Sequence, residues 1–103
     1  MAFVRVAAAA EIPVGAIKEF AVGGTVVALA NVAGKIHAIS NTCLHRGGPL
    51  GQGVLEGGVV TCPWHGWQFN VASGKTVHNA EAGVACYPVE VRGSEIFVEI
   101  ADA

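Results

Sequence analysis

Charge is scarce in this chain, and none of it gathers. Among 103 residues, Lys and Arg total 6 and Asp and Glu total 8, for a net charge of −2. No basic block is present to follow a phosphate backbone, so nucleic acid is excluded as a partner. Between Lys35 and Glu56 the single charge is Arg46. Long apolar runs are missing too. The longest, "VAAAA" and "VVALA", have five residues each, against about 20 for a helix that crosses a bilayer. The opening "MAFVRVAAAAEIPVG" has too short an apolar core for an export signal. No membrane association is therefore expected, and the cytoplasm is the expected location. Cysteine is limited to Cys43, Cys62 and Cys86. An odd count without an export signal argues against a disulfide framework and for a reducing compartment. Four acidic residues near the end, Glu90, Glu95, Glu99 and Asp102, read as a solvated face of the final strands.

Sustained helical periodicity is absent as well. The alanines at 7–10 are too few to stand as a helix. What is present instead is a series of short runs rich in β-branched residues, punctuated by glycine. "FVRVA" reads as a first strand, and "EIPVG" as a turn, because Pro13 and Gly15 suit neither helix nor ladder. "AIKEFAV" and "TVVALANV" flank Gly23-Gly24, a two-residue hairpin signal, and Ala33-Gly34 precedes "KIHAIS". "GVVTC", "WQFNV", "VACYPVEV" and "EIFVEI" complete the set, the last two joined around Arg92-Gly93-Ser94. No repeat or linker divides the chain, so residues 1–103 are expected to form one all-β domain, an antiparallel β-sandwich or small barrel. The strand rhythm breaks over about 41–70, which reads as an inserted subdomain of two Cys/His loops.

Those loops are "TCLHRGG" (42–48) and "TCPWHGW" (61–67). Each places one thiol beside one imidazole, among glycines. Thiolate and imidazole are shared ligand types of iron, copper and zinc. Cys43, His45, Cys62 and His65 could thus hold one tetrahedral metal or a two-iron cluster. Structural zinc sites usually pair two cysteines in one knuckle at C-x2-4-C spacing, whereas here each loop supplies one of each type. The single residue between Cys43 and His45 also makes a tight chelate for one metal, a difficulty that two neighbouring irons relieve.

The pattern C-x-H, sixteen residues, C-x2-H, with "CLHRGGPL" and "CPWHGWQF" as its boxes, resembles the Rieske iron–sulfur family. The tail "YPVEVRGSEIFVEI" is similar to soluble Rieske ferredoxins in particular. The resemblance implies a Rieske fold holding one [2Fe–2S] cluster, with Cys43 and Cys62 on the inner iron and His45 and His65 on the outer one. Gly47, Gly48 and Gly66 would let backbone N–H groups approach the sulfurs, and such bonds favour the reduced cluster. High-potential members carry two further cysteines as a bridge between the loops, where this chain has Gly48 and Trp64. They also place Ser and Tyr hydroxyls near the cluster, where this chain has Trp67 and Phe69. Fewer donors imply a potential at the low end of the Rieske range, roughly −150 mV rather than +300 mV. Exposed imidazole ligands imply a potential that falls at alkaline pH. Ferredoxins of this kind also place a proline in the loop before the last hairpin, where Glu81, Ala82 and Gly83 stand here.

The implied function is one-electron transfer from a flavin reductase to a terminal oxygenase such as a ring-hydroxylating dioxygenase. Docking would be transient, near His45 and His65, on a nearly neutral tip. The chain would be a monomer and not itself an enzyme, since spare ligands for a mononuclear iron are missing. Two rivals are the small Rieske subunit of an assimilatory nitrite reductase and a zinc-bound structural or interaction module. Outside the loops the expectations are plain: His37 an ordinary strand residue, His78 a solvated loop residue, Cys86 a small buried hydrophobe, and at least one of Trp64 and Trp67 packed beside the site.

Overall fold

In the computed structural model, which describes residues 2–22, 24–43, 48–64, 66–77 and 81–100, the short apolar runs become strands and no α-helix forms among the described residues. The strands are β1 (Ala2–Ala8), β2 (Ile17–Val22), β3 (Thr25–Val32), β4 (Lys35–Ser40), β5 (Val54–Glu56), β6 (Val59–Thr61), β7 (Gln68–Asn70), β8 (Cys86–Tyr87), β9 (Val89–Arg92) and β10 (Glu95–Ile100). They form three antiparallel sheets, ordered β1-β10-β9, β2-β3-β4-β8 and β5-β6-β7. The all-β expectation holds, and no helix among the described residues is long and apolar enough to cross a membrane.

Turn chemistry sets the hairpins. Val22 pairs with Thr25 across the first, and Val32 with Lys35 across the second. In the second, Ala33 (φ 54) and Gly34 (φ 95) are both left-handed, the geometry whose twist matches the flanking strands. Asn31 steadies that turn: its Oδ1 accepts from the Gly34 N–H at 2.9 Å, and its Nδ2 donates to the Ile12 carbonyl at 2.7 Å. The hairpin β5–β6 turns in the same way through Gly57 (φ 55) and Gly58 (φ 84). Strand β5 was not among the expected strands, although its Gly-Gly turn carried the same signal as residues 23–24.

The central sheet β2-β3-β4-β8 is buried on both faces, which is why β3 is continuously apolar rather than alternating. Val27 and Leu29 face one core with Ile36, Ala38, Ile96, Val98 and Ile100, between the central sheet and the sheet β1-β10-β9. Ala28 and Ala30, on the other face, join Ile39, Leu50, Val60, Phe69 and Val71 in a second core that also contains Cys43 and Cys62. Two alanines there keep the floor thin, so the loop segments lie close upon the sheet.

Two expectations change. "VACYPVEV" is not one strand. It divides at Pro88: β8 pairs with β4 in the central sheet, and β9 pairs with β10 in another. Proline lacks the N–H a continuous ladder needs, and the chain changes sheets there. Cys86 is exposed rather than buried, because β8 is a two-residue edge strand. Its Sγ reaches the Ala72 carbonyl at 3.4 Å.

Candidate metal centre

Both candidate cysteines sit at the neck of a loop, and both necks close in the same way. The Cys43 N–H donates to the Gly48 carbonyl at 2.8 Å, and the Cys62 N–H donates to the Trp67 carbonyl at 2.7 Å. Each bond spans five residues. One step further out, Thr42 bridges Pro49 and Thr61 pairs with Gln68. The repeated Thr-Cys dipeptide is therefore the last paired step before each excursion. His45 and His65 fall inside these excursions by sequence and lie outside the described residues, as does His78.

The two sulfurs meet at the base. Cys43 and Cys62 are each 2% exposed and carry free thiols. Burial pushes the Cys62 thiol up, the Trp64 N–H pulls it down, and the neighbouring Cys43 pushes it up again. The Trp64 N–H donates to Cys62 Sγ at 3.4 Å. Two unoxidised thiols held side by side in an apolar core form a soft donor pair, and a coordinated cation would remove the cost of ionising them. This donor pair fits an iron–sulfur group. No third His, Cys, Asp or Glu joins them among the described residues.

At Gly48 and Trp64 the two loops meet through glycine and indole. A Cβ at Gly48 would stand 2.7 Å from Cys62 Sγ and 3.0 Å from Trp64 Cγ. Trp64 itself is 50% exposed. Trp67 is half-buried and packs on the second core, as expected of at least one of the pair. Phe69, at one of the positions without a hydroxyl, is fully buried in that core. His37, on β4, is half-buried, and burial followed by the Lys35 charge lowers its imidazole.

The loops are anchored by different means. Loop one depends on Asn41, two residues before Cys43. Its buried carboxamide accepts from the Gly51 N–H at 2.6 Å and donates to Glu19 Oε2 at 2.7 Å. Gln52 donates to the other oxygen of Glu19 at 2.8 Å. Loop two rests on β6 and β7 and on a further backbone crossing. The Val77 N–H donates to the Gln68 carbonyl at 3.0 Å, and the Val84 N–H to the Gly74 carbonyl at 2.8 Å. Glu19, Asn41 and Gln52 escape sequence reasoning, since amide–carboxylate partners far apart along the chain leave no local pattern.

The Rieske [2Fe-2S] domain family matches residues 2–88. The chain is 32% identical over 92 residues to the ferredoxin component of the naphthalene 1,2-dioxygenase system of Pseudomonas aeruginosa, covering 88% of each chain. The fold is similar to that of the ferredoxin of carbazole 1,9a-dioxygenase from Nocardioides aromaticivorans, with a TM-score of 0.87, 32% identity, and coverage of 95% of this chain and 97% of that one. It is also similar to a chain in a complex of reduced oxygenase and oxidized ferredoxin in carbazole 1,9a-dioxygenase, with a TM-score of 0.84, 32% identity, and coverage of 93% and 91%.

Proposed function

Because the chain belongs to the Rieske [2Fe-2S] domain family, we propose that it is a low-potential one-electron carrier, delivering electrons from a flavin reductase to a terminal oxygenase. The cofactor of the family is one Rieske-type [2Fe–2S] cluster, and when bound it supplies a one-electron couple. Cys43 and Cys62 would hold one iron and His45 and His65 the other. The observation that carries this reading is the pair of buried, unoxidised thiols at the necks of two identically closed loops.

The surrounding residues serve such a carrier. The second core excludes water from the sulfurs. The Trp64 N–H gives Cys62 one hydrogen bond, which favours the more negative, reduced state. Trp67 and Phe69 supply no hydroxyl, which keeps the potential low. Pro63 and Trp64 are exposed beside the neck of loop two, an apolar, uncharged rim suited to brief docking near His45 and His65. Support for an oxygenase as the acceptor comes from the relatives, which are ferredoxin components of dioxygenase systems.

The test is anaerobic reconstitution with iron and sulfide, followed by a redox titration read by electron paramagnetic resonance. A Rieske-type signal with a midpoint near roughly −150 mV is expected. A colourless zinc protein, or a midpoint near +300 mV, would overturn the reading.

A further inference from the structure

Asn41 is the point at which the cysteine-bearing loop one is fastened to the β frame, and all four of its polar groups are used. Its N–H donates to the Val26 carbonyl at 3.2 Å, and its carbonyl accepts from the Leu50 N–H at 2.7 Å. Its Oδ1 accepts from the Gly51 N–H at 2.6 Å, and its Nδ2 donates to Glu19 Oε2 at 2.7 Å. The amide can be oriented only one way, because only its oxygen can accept from Gly51. Asn41 is 7% exposed, and its bond from the Gly51 N–H is buried, where a lost partner is costly; the bond to the exposed Glu19 is part-buried. Glu19 in turn holds Gln52 at 2.8 Å. Gly51 lies flush on β2, where a Cβ would stand 2.7 Å from the Glu19 Cβ and 2.8 Å from its nitrogen. The residue before Cys43's own neighbour and the turn after Gly48 are thus tied to one carboxylate on edge strand β2.

We propose that Asn41 and Glu19 are positioning residues for the cluster: their hydrogen bond sets where the Cys43 neck stands relative to Cys62, and so tunes the spectrum and potential of the bound group. The inference rests on the proposed function. Asn41 joins the start of the Cys43 neck to β3, to Gly51 and to Glu19 on β2, so a change in its bonds shifts that neck. A small shift of Cys43 against Cys62 alters both sulfurs' surroundings, including the bond from the Trp64 N–H.

The pairing can be reversed to test this. In Asn41→Asp, one carboxylate oxygen still accepts from Gly51, but the other faces the Glu19 carboxylate. In Asn41→Asp with Glu19→Gln, the new amide donates to residue 41 and its oxygen still accepts from Gln52, so all three side-chain bonds are restored and only the one between residues 41 and 19 has its direction reversed. Both proteins and the wild type are reconstituted at neutral pH. The paramagnetic spectrum, the midpoint potential and the rate of cluster loss to an iron chelator are compared. The single variant is expected to lose its cluster about tenfold faster, the equivalent of one hydrogen bond, with a changed spectrum and potential. The double variant should return to within about twofold of wild type. Three outcomes overturn the proposal: a single variant that matches wild type, a double variant no better than the single one, or altered cluster loss with unchanged spectrum and potential, which would mark a purely structural role. A wild-type protein that takes zinc instead of the cluster overturns the proposed function and this inference with it.

Discussion

The two cysteine loops are alike in backbone and unlike in support. Each closes by a bond from the cysteine N–H to a carbonyl five residues on. Loop one has backbone bonds at Asn41 and adds side chains reaching across the fold, from Asn41 to Glu19 and from Gln52 to Glu19. Loop two is held by backbone: the β6–β7 ladder, and a crossing at which Gly74 and Gly83 let two chain segments touch. A cysteine neck can thus be produced twice by one backbone device and secured by two different kinds of interaction. The two kinds differ in which substitutions they tolerate.

The largest effect should treat the loops as equals. Cys43→Ser and Cys62→Ser should each lower bound iron by more than about tenfold after reconstitution. Cys86→Ser, outside the second core, should keep the full iron content and visible absorption. Unequal results for the two serines would break the equivalence of the loops.

Next comes the backbone support of loop two. Gly74 has φ +79, and a Cβ there would stand 2.3 Å from the Val84 carbonyl oxygen. Gly74→Ala should cost about 3 kcal/mol, from left-handed strain and overpacking together, as measured by urea unfolding of the cluster-free protein.

The side-chain support of loop one should cost somewhat less to remove. Asn41→Ala leaves the buried Gly51 N–H without its acceptor, while water can replace the lost partner of the exposed Glu19, and about 2 kcal/mol is expected in the same unfolding experiment. The counterpart on loop two, Gln68→Ala, removes an exposed 3.3 Å bond to Thr61 and should change stability by less than about 0.5 kcal/mol. Equal losses at the two positions would erase the proposed difference.

The smallest effect lies in the central sheet beneath both loops. Burial, then the Lys35 charge, lowers the His37 imidazole below its ordinary value of 6.5. The native chain therefore takes up this proton less readily than the unfolded chain. The stability it contributes is present above pH 6.5 and is lost as pH falls through the lower folded value. His37→Asn should flatten the fall in unfolding free energy over that acid window, as read by urea titration at successive pH values.

Much of this molecule was legible before its structure. Period-two runs with glycine turns marked the hairpins around 23–24, 33–34 and 92–94, and the structure forms all three. The run "VACYPVEV" misled because alternation reports which face a residue takes and not which sheet it joins. Pro88 divides it between two sheets. Burial of Cys86 was misjudged for a related reason, since exposure depends on being at a sheet edge, which alternation does not report.

The four-donor pattern and the β class came from residue order alone, because ligand spacing and strand alternation are local properties, written within a few positions of each other. The support of each loop did not. Asn41 and Glu19 stand 22 residues apart, and Gln52 and Glu19 stand 33 apart. Their pairing exists only because β2 runs beside the turn Leu50–Gln52. Hydrogen bonds between such distant groups have no signature until packing brings them within 3 Å.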